Sequence, residues 1–267
     1  EPAMNITREF VFVHLPKTGG TFVAEALRDL YAPRWAFSPL LRRWHFRIFN
    51  TAAGVLGLNA AHVEIEKHAP RRAIPAQYQH LPVLACIRNP LDWYVSNYKF
   101  QFWKTNPNYY PGLMDEPGWE NLSFEQFMRL SNEVWAQALT PNVRVNPSLG
   151  RLTVLFIQYH CAQPERLLEM RADDKTLREA IREDLGGMTF LHTEQLNDEL
   201  MAYLRRAGYA EERIAFIKNR APVKPGGRRS AEDRWQKFYS PSMRADVLRR
   251  DRILFQIFPE YDLPLQA

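Results

Sequence analysis

The sequence predicts an α/β fold, a P-loop-like three-layer α/β/α arrangement around a mostly parallel central sheet. Three observations predict it. Short apolar runs bounded by turn residues alternate with stretches of helical periodicity. The first run enters a glycine turn and then a helix. A second run, residues 82–87, repeats the strand-then-helix order. Strands that alternate with helices are the pattern of parallel sheets covered by helices.

The elements follow in order. Residues 10–14 read as a buried strand. Residues 15–20 turn, and a helix opens at Thr21 and runs through Leu30, with Phe22, Ala26 and Leu30 at helical spacing. Residues 35–57 are mixed and basic. Their Arg42, Arg43 and Arg47 read as a solvated helix face or as the flank of an acceptor groove. The strand at 82–87 ends at Asn89-Pro90, and a helix follows over 91–101. Residues 106–121, rich in Pro, Gly and Tyr, read as a long surface loop or lid. Ser123 and Gln126 form a capping-box pattern ahead of another helix. A late strand at 188–192 leads to a helix over 194–206 that stops near Gly208. Pro225, Gly226 and Gly227 mark a mobile loop, and 241–258 is helical in pattern.

Composition narrows the class. The chain of 267 residues suits one α/β domain with insertions. Apolar residues make up 46% and aromatics 13%, enough for a sizeable core and against a disordered chain. Thirty-five basic residues against thirty acidic ones leave a formal net charge of +5. That mild excess suits an anionic small ligand and gives no polybasic nucleic-acid footprint, so no nucleic-acid partner is expected. Cys86 and Cys161 lie in apolar runs and read as buried free thiols, which suits a reducing compartment, and a cytoplasmic setting is expected. No apolar stretch is long enough to span a membrane, although an N-terminal anchor removed from the chain is compatible with the sequence. Cysteine, histidine and acidic residues show no metal-ligand spacing, so no metal is expected.

Residues 14–21 read His-Leu-Pro-Lys-Thr-Gly-Gly-Thr. A strand delivers the chain to a tight turn, where Gly19 and Gly20 let the backbone approach a ligand. The following helix aims its first N–H groups, and the positive end of its dipole, at that ligand. Lys17 adds a cation, and Thr18 and Thr21 add hydroxyl donors. The result is an anion cradle for a phosphate or phosphosulfate. It is not a Walker A loop, because Lys17 precedes the glycine pair. The plain alternative is a glycine turn with a solvent-exposed lysine.

Arg88 follows the 82–87 strand, and Ser96 lies eight residues on. A guanidinium at a strand's carboxyl end points into the crevice where open α/β sheets bind ligands. Arg88 with the Ser96 hydroxyl suits a second phosphate. Two anion sites on strand ends imply a ligand with two separated anionic groups. Taken singly, Arg88 reads equally as a surface ion pair and Ser96 as a polar helix residue.

Together these segments resemble the sulfotransferases that use 3′-phosphoadenosine 5′-phosphosulfate (PAPS). The branch most like this chain holds the carbohydrate enzymes of heparan sulfate 2-O type and bacterial relatives. Residues 14–21 resemble the family's 5′-phosphosulfate loop. Residues 88–98, Arg-Asn-Pro-Leu-Asp-Trp-Tyr-Val-Ser-Asn-Tyr, resemble its 3′-phosphate motif, with Asn89 in place of a more usual Asp. Residues 190–200 and 238–261 resemble its late strand and helix and its closing region. Residues 107–185 resemble it least and form an insertion or acceptor region of the single domain, 1–267. The resemblance implies transfer of a sulfuryl group to the hydroxyl of a glycan or other small-molecule or lipid acceptor. The product of the donor is 3′,5′-diphosphoadenosine, and no metal is required. It also implies a late basic loop over the nucleotide, which Lys224 and Arg228 would supply.

Such transfer needs a base for the acceptor hydroxyl and a cation near the leaving oxygen. A neutral histidine suits the first task and Lys17 the second. His62, in Asn-Ala-Ala-His-Val-Glu-Ile, resembles the Gly-His-Val-Ser segment that carries the histidine base in the heparan sulfate branch. Glu64 would orient the imidazole or act as the base itself. His68 is the rival to His62, and His14 reads as structural. Two other classes stay open at this point. One is a P-loop nucleotide kinase, the other a non-catalytic module that binds nucleotides or polyanions.

Overall fold

The computed structural model describes residues 4–32, 62–65, 68–140, 142–221, 223 and 235–262, with 62–65 described as backbone only. Arg42, Arg43, Arg47 and the loop at 225–227 lie outside the described residues. In chain order the main elements are β1 (Met4–Thr7), β2 (Val11–Val13), α1 (Gly20–Tyr31), β3 (His62–Ile65), β4 (Val83–Ile87) and α2 (Pro90–Phe100). They continue with α3 (Phe124–Arg129, carried on as a π-helical turn over Leu130–Trp135), α4 (Arg151–His160) and α5 (Asp174–Leu185). The last are β5 (Thr189–His192), α6 (Leu196–Arg206), α7 (Pro241–Arg250) and α8 (Arg252–Ile257). The chain forms two compact units: Glu1–Arg88 with Gly187–Val223, and Asn89–Gly186 with Lys224–Ala267.

The first unit holds a five-stranded sheet in the order β3-β1-β2-β4-β5. Strands β2, β4 and β5 are parallel, and β1 runs antiparallel to both its neighbours. The α/β class read from the sequence therefore holds. The added feature is a β1–β2 hairpin on one side of the parallel strands. Thr7 closes its turn: its hydroxyl donates to the Phe10 carbonyl at 2.9 Å and accepts from the N–H groups of Phe10 and Glu9. β1 escaped the sequence reading because Asn5 and Thr7, polar residues, fill buried positions in it.

Side chains alternate across the pleat, as strand geometry requires. Phe10, Phe12, Leu84, Cys86 and Leu191 face one way and pack on Phe22, Ala26 and Leu27 of α1 and on Leu200 and Leu204 of α6. Met4, Ile6, Val11, Val13 and Val83 face the other way and are covered by Ala69 and Ile74. Burying each such aliphatic or aromatic side chain contributes on the order of 1.5–3 kcal/mol. This two-sided core fixes where the strands end, and the candidate site lies at those ends.

The second unit is helical. Its capping box forms as read: Ser123 N–H donates to Gln126 Oε1 at 2.9 Å, and Gln126 N–H donates to Ser123 Oγ at 3.2 Å. Residues 106–121 are a series of tight turns, with 3₁₀ turns at Pro107–Tyr109 and Trp119–Asn121, pinned by fully buried Leu113. The segment 241–258, helical in pattern, forms two helices that break at Asp251. There the carboxylate turns inward and accepts from Thr153 N–H (2.9 Å), the Thr153 hydroxyl (2.7 Å) and the Tyr94 hydroxyl (2.8 Å). A buried carboxylate needs such donors. Burial still pushes its pKa up from the ordinary aspartate value. Cys86 and Cys161 are buried free thiols, as the sequence suggested.

Gly150 leaves room for that carboxylate. A Cβ at Gly150 would sit 2.5 Å from both Asp251 oxygens, whereas one at Gly187 would meet nothing within 4 Å. Gly150→Ala is therefore expected to lower the unfolding free energy by about 1–3 kcal/mol, as overpacking does. Gly187→Ala should stay within about 0.5 kcal/mol of the parent. Urea titrations of the two variants check this, and equal midpoints would contradict the packing described.

Candidate functional site

The parallel strands β2 and β4 deliver the chain to two adjacent segments, the 14–20 loop and Arg88. Thr18 is fully buried, and its hydroxyl donates to the Leu15 carbonyl at 2.7 Å. That bond ties Thr18 to the turn of the loop. Lys17 takes a positive φ of 68°, and so does Gly19 at 89°. The second is the left-handed conformation for which glycine is suited. Gly20 begins α1, and a Cβ on it would overlap the His14 ring. The pair of glycines is needed on two counts, a backbone turn at Gly19 and a close ring approach at Gly20.

α1 starts without a side-chain cap and with no acidic residue in its first turn. The first N–H groups of a helix have no intrahelical acceptor. Together with the dipole they favour an anion ahead of Gly20. Arg88, half-buried, donates from Nη1 to the Lys17 carbonyl at 3.1 Å. The structure thus brings Lys17, Gly19, Gly20, Thr21 and Arg88 together within the first unit. Ser96 belongs to the second unit, half-buried on α2. Lys224 and Arg228 lie outside the described residues.

Thr193 was missed by sequence reasoning. It follows β5 directly, and His192 of that strand is the register partner of Ile87. Its hydroxyl lies 2.7 Å from the Thr18 carbonyl and 2.8 Å from the Ile87 carbonyl, so one donor ties the loop to the end of β4. A Cβ on Gly19 would press on Leu196 Cδ2 at 2.9 Å. Beside Gly19 opens a pocket of about 220 Å³ lined by Phe22, Thr193, Leu196, Asn197 and Val223, among others. Asn197 holds one wall by donating to the carbonyls of Ile217 (2.6 Å) and Arg220 (3.0 Å). Arg220 in turn pairs with Glu25 and Asp29 of α1.

The histidines separate by register. β1 is antiparallel to both β2 and β3, so β3 runs in the direction of β2. His62 pairs with Thr7 and Ile65 with Met4, while Glu64 pairs with Asn5. His62 therefore starts β3 beside the Thr7–Phe10 turn, and Ile65 ends it on the side from which β2 leaves for the loop. About 10 Å of strand separates the two backbones. The side chains of His62 and Glu64 lie outside the described residues. His68, by contrast, reaches the loop: its ring is 4.9 Å from that of His14, and its Nδ1 lies 3.4 Å from the His14 carbonyl. His14 is itself buried, consistent with a structural part.

Among the described residues no cluster of three or more His, Cys, Asp or Glu could hold a metal ion, and no helix is long and apolar enough to cross a membrane.

Replacing Thr193 by Val removes the shared donor while keeping the shape. It should cost about 1–3 kcal/mol of stability, since two inward carbonyls lose their partner. Thermal and urea unfolding check this. An unchanged midpoint would show that the tie between loop and strand is not needed.

Comparison with known proteins follows the same lines. A family model described as a sulfotransferase domain matches residues 5–145. No curated protein sequence matches. Among solved structures the chain is similar to a mouse sulfotransferase crystallised with PAP, at 15% identity and a TM-score of 0.43, over 97% of this chain and 85% of that one.

Proposed function

The chain belongs to the sulfotransferase domain family, and on that premise we propose that it moves a sulfuryl group from PAPS to the hydroxyl of an acceptor. The observation that carries the donor assignment is the uncapped, acid-free start of α1, set beside Lys17 and an Arg88 hydrogen-bonded to the same loop. The 14–20 loop and Thr21 would hold the 5′-phosphosulfate. Arg88, with Ser96 by resemblance, would hold the 3′-phosphate, and Lys224 and Arg228 would close over the nucleotide by resemblance alone. The pocket beside Gly19 offers apolar surface from Phe22, Leu196 and Val223 for the adenosine, next to the polar and acidic residues Gln195, Glu194 and Asp198. No metal enters this reading, because Lys17 supplies the charge near the bridging oxygen. The two units act as one domain in this proposal, supported by a family match that takes in segments of both.

Bound PAPS supplies an activated sulfur. The chain's residues then have two tasks. A base accepts the acceptor's proton as its oxygen attacks that sulfur. Lys17 faces the bridging oxygen as its bond to sulfur breaks, leaving 3′,5′-diphosphoadenosine. The base is a histidine of the 62–68 segment. Resemblance favours His62, with Glu64 to orient it, while strand register favours His68, whose ring reaches the loop. We take His68 as the base on geometry.

The acceptor is a carbohydrate or another small-molecule or lipid hydroxyl, in the manner of the heparan sulfate 2-O branch. Phe100, Phe102 and Tyr109 support this by exposing aromatic faces in the second unit, with Phe100 and Phe102 stacked at 6.0 Å. A cytoplasmic setting is supported by the two buried free thiols.

Calorimetry should show tight binding of 3′,5′-diphosphoadenosine and far weaker binding of 5′-AMP. Arg88→Met should cost about 1.5–3 kcal/mol of the first and little of the second, as loss of a charge-assisted contact does. Equal affinities would rule out the bisphosphate donor and leave the kinase or binding-module readings.

Single-turnover transfer at saturating labelled PAPS tests the base. His68→Ala should slow it by roughly 10²–10⁴-fold, the usual range for a positioned base, with nucleotide affinity retained and His62→Ala nearly unchanged. The reverse ranking would return the role to His62, and a dead Glu64→Gln with both histidine variants active would give it to the carboxylate.

A further inference from the structure

Within the second unit several arginines find carboxylates: Arg129 pairs with Glu116, Arg250 with Asp246 and Arg252 with Asp174. Arg151 does not. Its guanidinium carbon lies 5.1 Å from the Trp135 ring centre and 5.4 Å from that of Tyr110, and those two rings meet edge to face at 4.6 Å. No ion pair to a carboxylate forms at Arg151 among the described residues. Guanidinium groups stay charged in proteins, and burial only pulls this one's pKa down from its ordinary range. The placement is also electrostatically awkward, because Arg151 opens α4, at the positive end of the helix dipole. The first N–H groups of α4 have acceptors of their own in Asn132 Oδ1 (2.9 Å) and Asp251 Oδ1 (2.9 Å). What is left over is the side chain.

Three further polar groups lie on the turn that carries Trp135. Trp135 Nε1, Asn132 Nδ2 and Ser131 Oγ are buried and, like Arg151 Nε, have no hydrogen-bond partner among the described residues. All three sit on the π-helical turn Leu130–Trp135, and each residue is 2% exposed or less. Buried donors without acceptors are rare in folded proteins, and π-turns occur frequently at functional sites. Aromatic rings support the cation without neutralising it. Two donor-only groups, Trp135 Nε1 and Asn132 Nδ2, and the Ser131 hydroxyl thus lie on the turn that packs against one positive charge.

We propose that Arg151, with Trp135, Asn132 and Ser131, forms an oxyanion site in the second unit that takes a carboxylate or a sulfate or phosphate ester. If the sulfotransferase reading above holds, an acidic acceptor is the natural bearer of that group, and this link rests on that reading. The site itself does not.

The test uses the full chain and three probes, sodium sulfate, glucuronate and glucose, titrated by calorimetry into the parent, Lys17→Ala, Arg151→Lys and Trp135→Phe. Sulfate or glucuronate should bind saturably to the parent and to Lys17→Ala, and glucose should not. Arg151→Lys should weaken binding at least ten-fold. Trp135→Phe keeps a ring under the guanidinium but removes the indole donor, and should weaken it several-fold. Sulfate binding alone would mark an ester site, and glucuronate binding alone a carboxylate site. Anion binding that vanishes in Lys17→Ala, or that both other variants leave unchanged, overturns the proposal. So does the absence of binding by either anion. Should Arg151→Lys lose its circular dichroism spectrum, Trp135→Phe decides. Titration of 3′,5′-diphosphoadenosine into the same proteins keeps the readings apart, since its failure bears on the donor loop alone.

Discussion

One hydroxyl holds the candidate site together. Thr193 shares its proton between the Thr18 carbonyl in the loop and the Ile87 carbonyl at the end of β4. Without that tie the loop would depend on its own turn geometry, which includes two residues at positive φ. A non-glycine residue in that region, as at Lys17, is held there only when its surroundings over-determine it. The surroundings are identifiable: Thr18 is anchored to Leu15, Arg88 to the Lys17 carbonyl, and Gly20 to the face of His14. Parallel pairing of β4 with β5 makes the tie possible, because it places Thr193 one residue beyond the partner of Ile87. Preorganisation of the cradle is thus a property of strand register, not of the loop sequence alone.

The second unit solves a different problem with a buried carboxylate. Asp251 gathers Thr153 and Tyr94, and Tyr94 also reaches Asn132 at 2.8 Å. The carboxylate has three donors, which is what makes burial of the charge tolerable. The Tyr94 and Asp251 pKa values both move up with burial, so the phenol keeps its proton and the network keeps its donor. Arg151 stands beside this network through Asn132, yet its own side chain is left out of it. The contrast between an anion ringed by donors and a cation without a carboxylate is the reason the cation reads as a place for a ligand.

What the sequence disclosed was local. The Val11–Val13 and Val83–Ile87 strands, the glycine loop, the helix after it and Arg88 at a strand end are all set by spacing within a few residues. The capping box at Ser123 was legible for the same reason. Features that depend on distant partners were not. β1 hid because its buried Asn5 and Thr7 break the apolar signature of a strand. The break within 241–258 was hidden because nothing nearby shows that Asp251 turns inward to Thr153, 98 residues away in sequence. Thr193 lies in a segment whose likeness to the family was visible, but its task needs β5 beside β4. His62 illustrates the limit most sharply. Its segment carries the resemblance, while its distance from the loop is a matter of which way β3 runs.

The way the helices begin argues that the cradle is built for a ligand. α2, α3, α5 and α7 each start with a side chain that accepts from their first turn: Asn89, Ser123, Asp173 and Ser240. Such caps stabilise a helix by about 0.5–2 kcal/mol. α4, α6 and α8 lack one; α4 borrows acceptors from Asn132 and Asp251, and α6 has Asp198 and Glu199 in its first turn. α1 has neither a side-chain cap nor an acidic residue in its first turn, and the residue in the capping position is a glycine that keeps side chains away. Lys17 and Arg88 then add positive charge where the dipole is already positive. The conformation of Gly19 and the nearness of Leu196 leave no room for a Ser or Asp cap there, and an anion supplied from outside would give the helix the partner that its own sequence withholds.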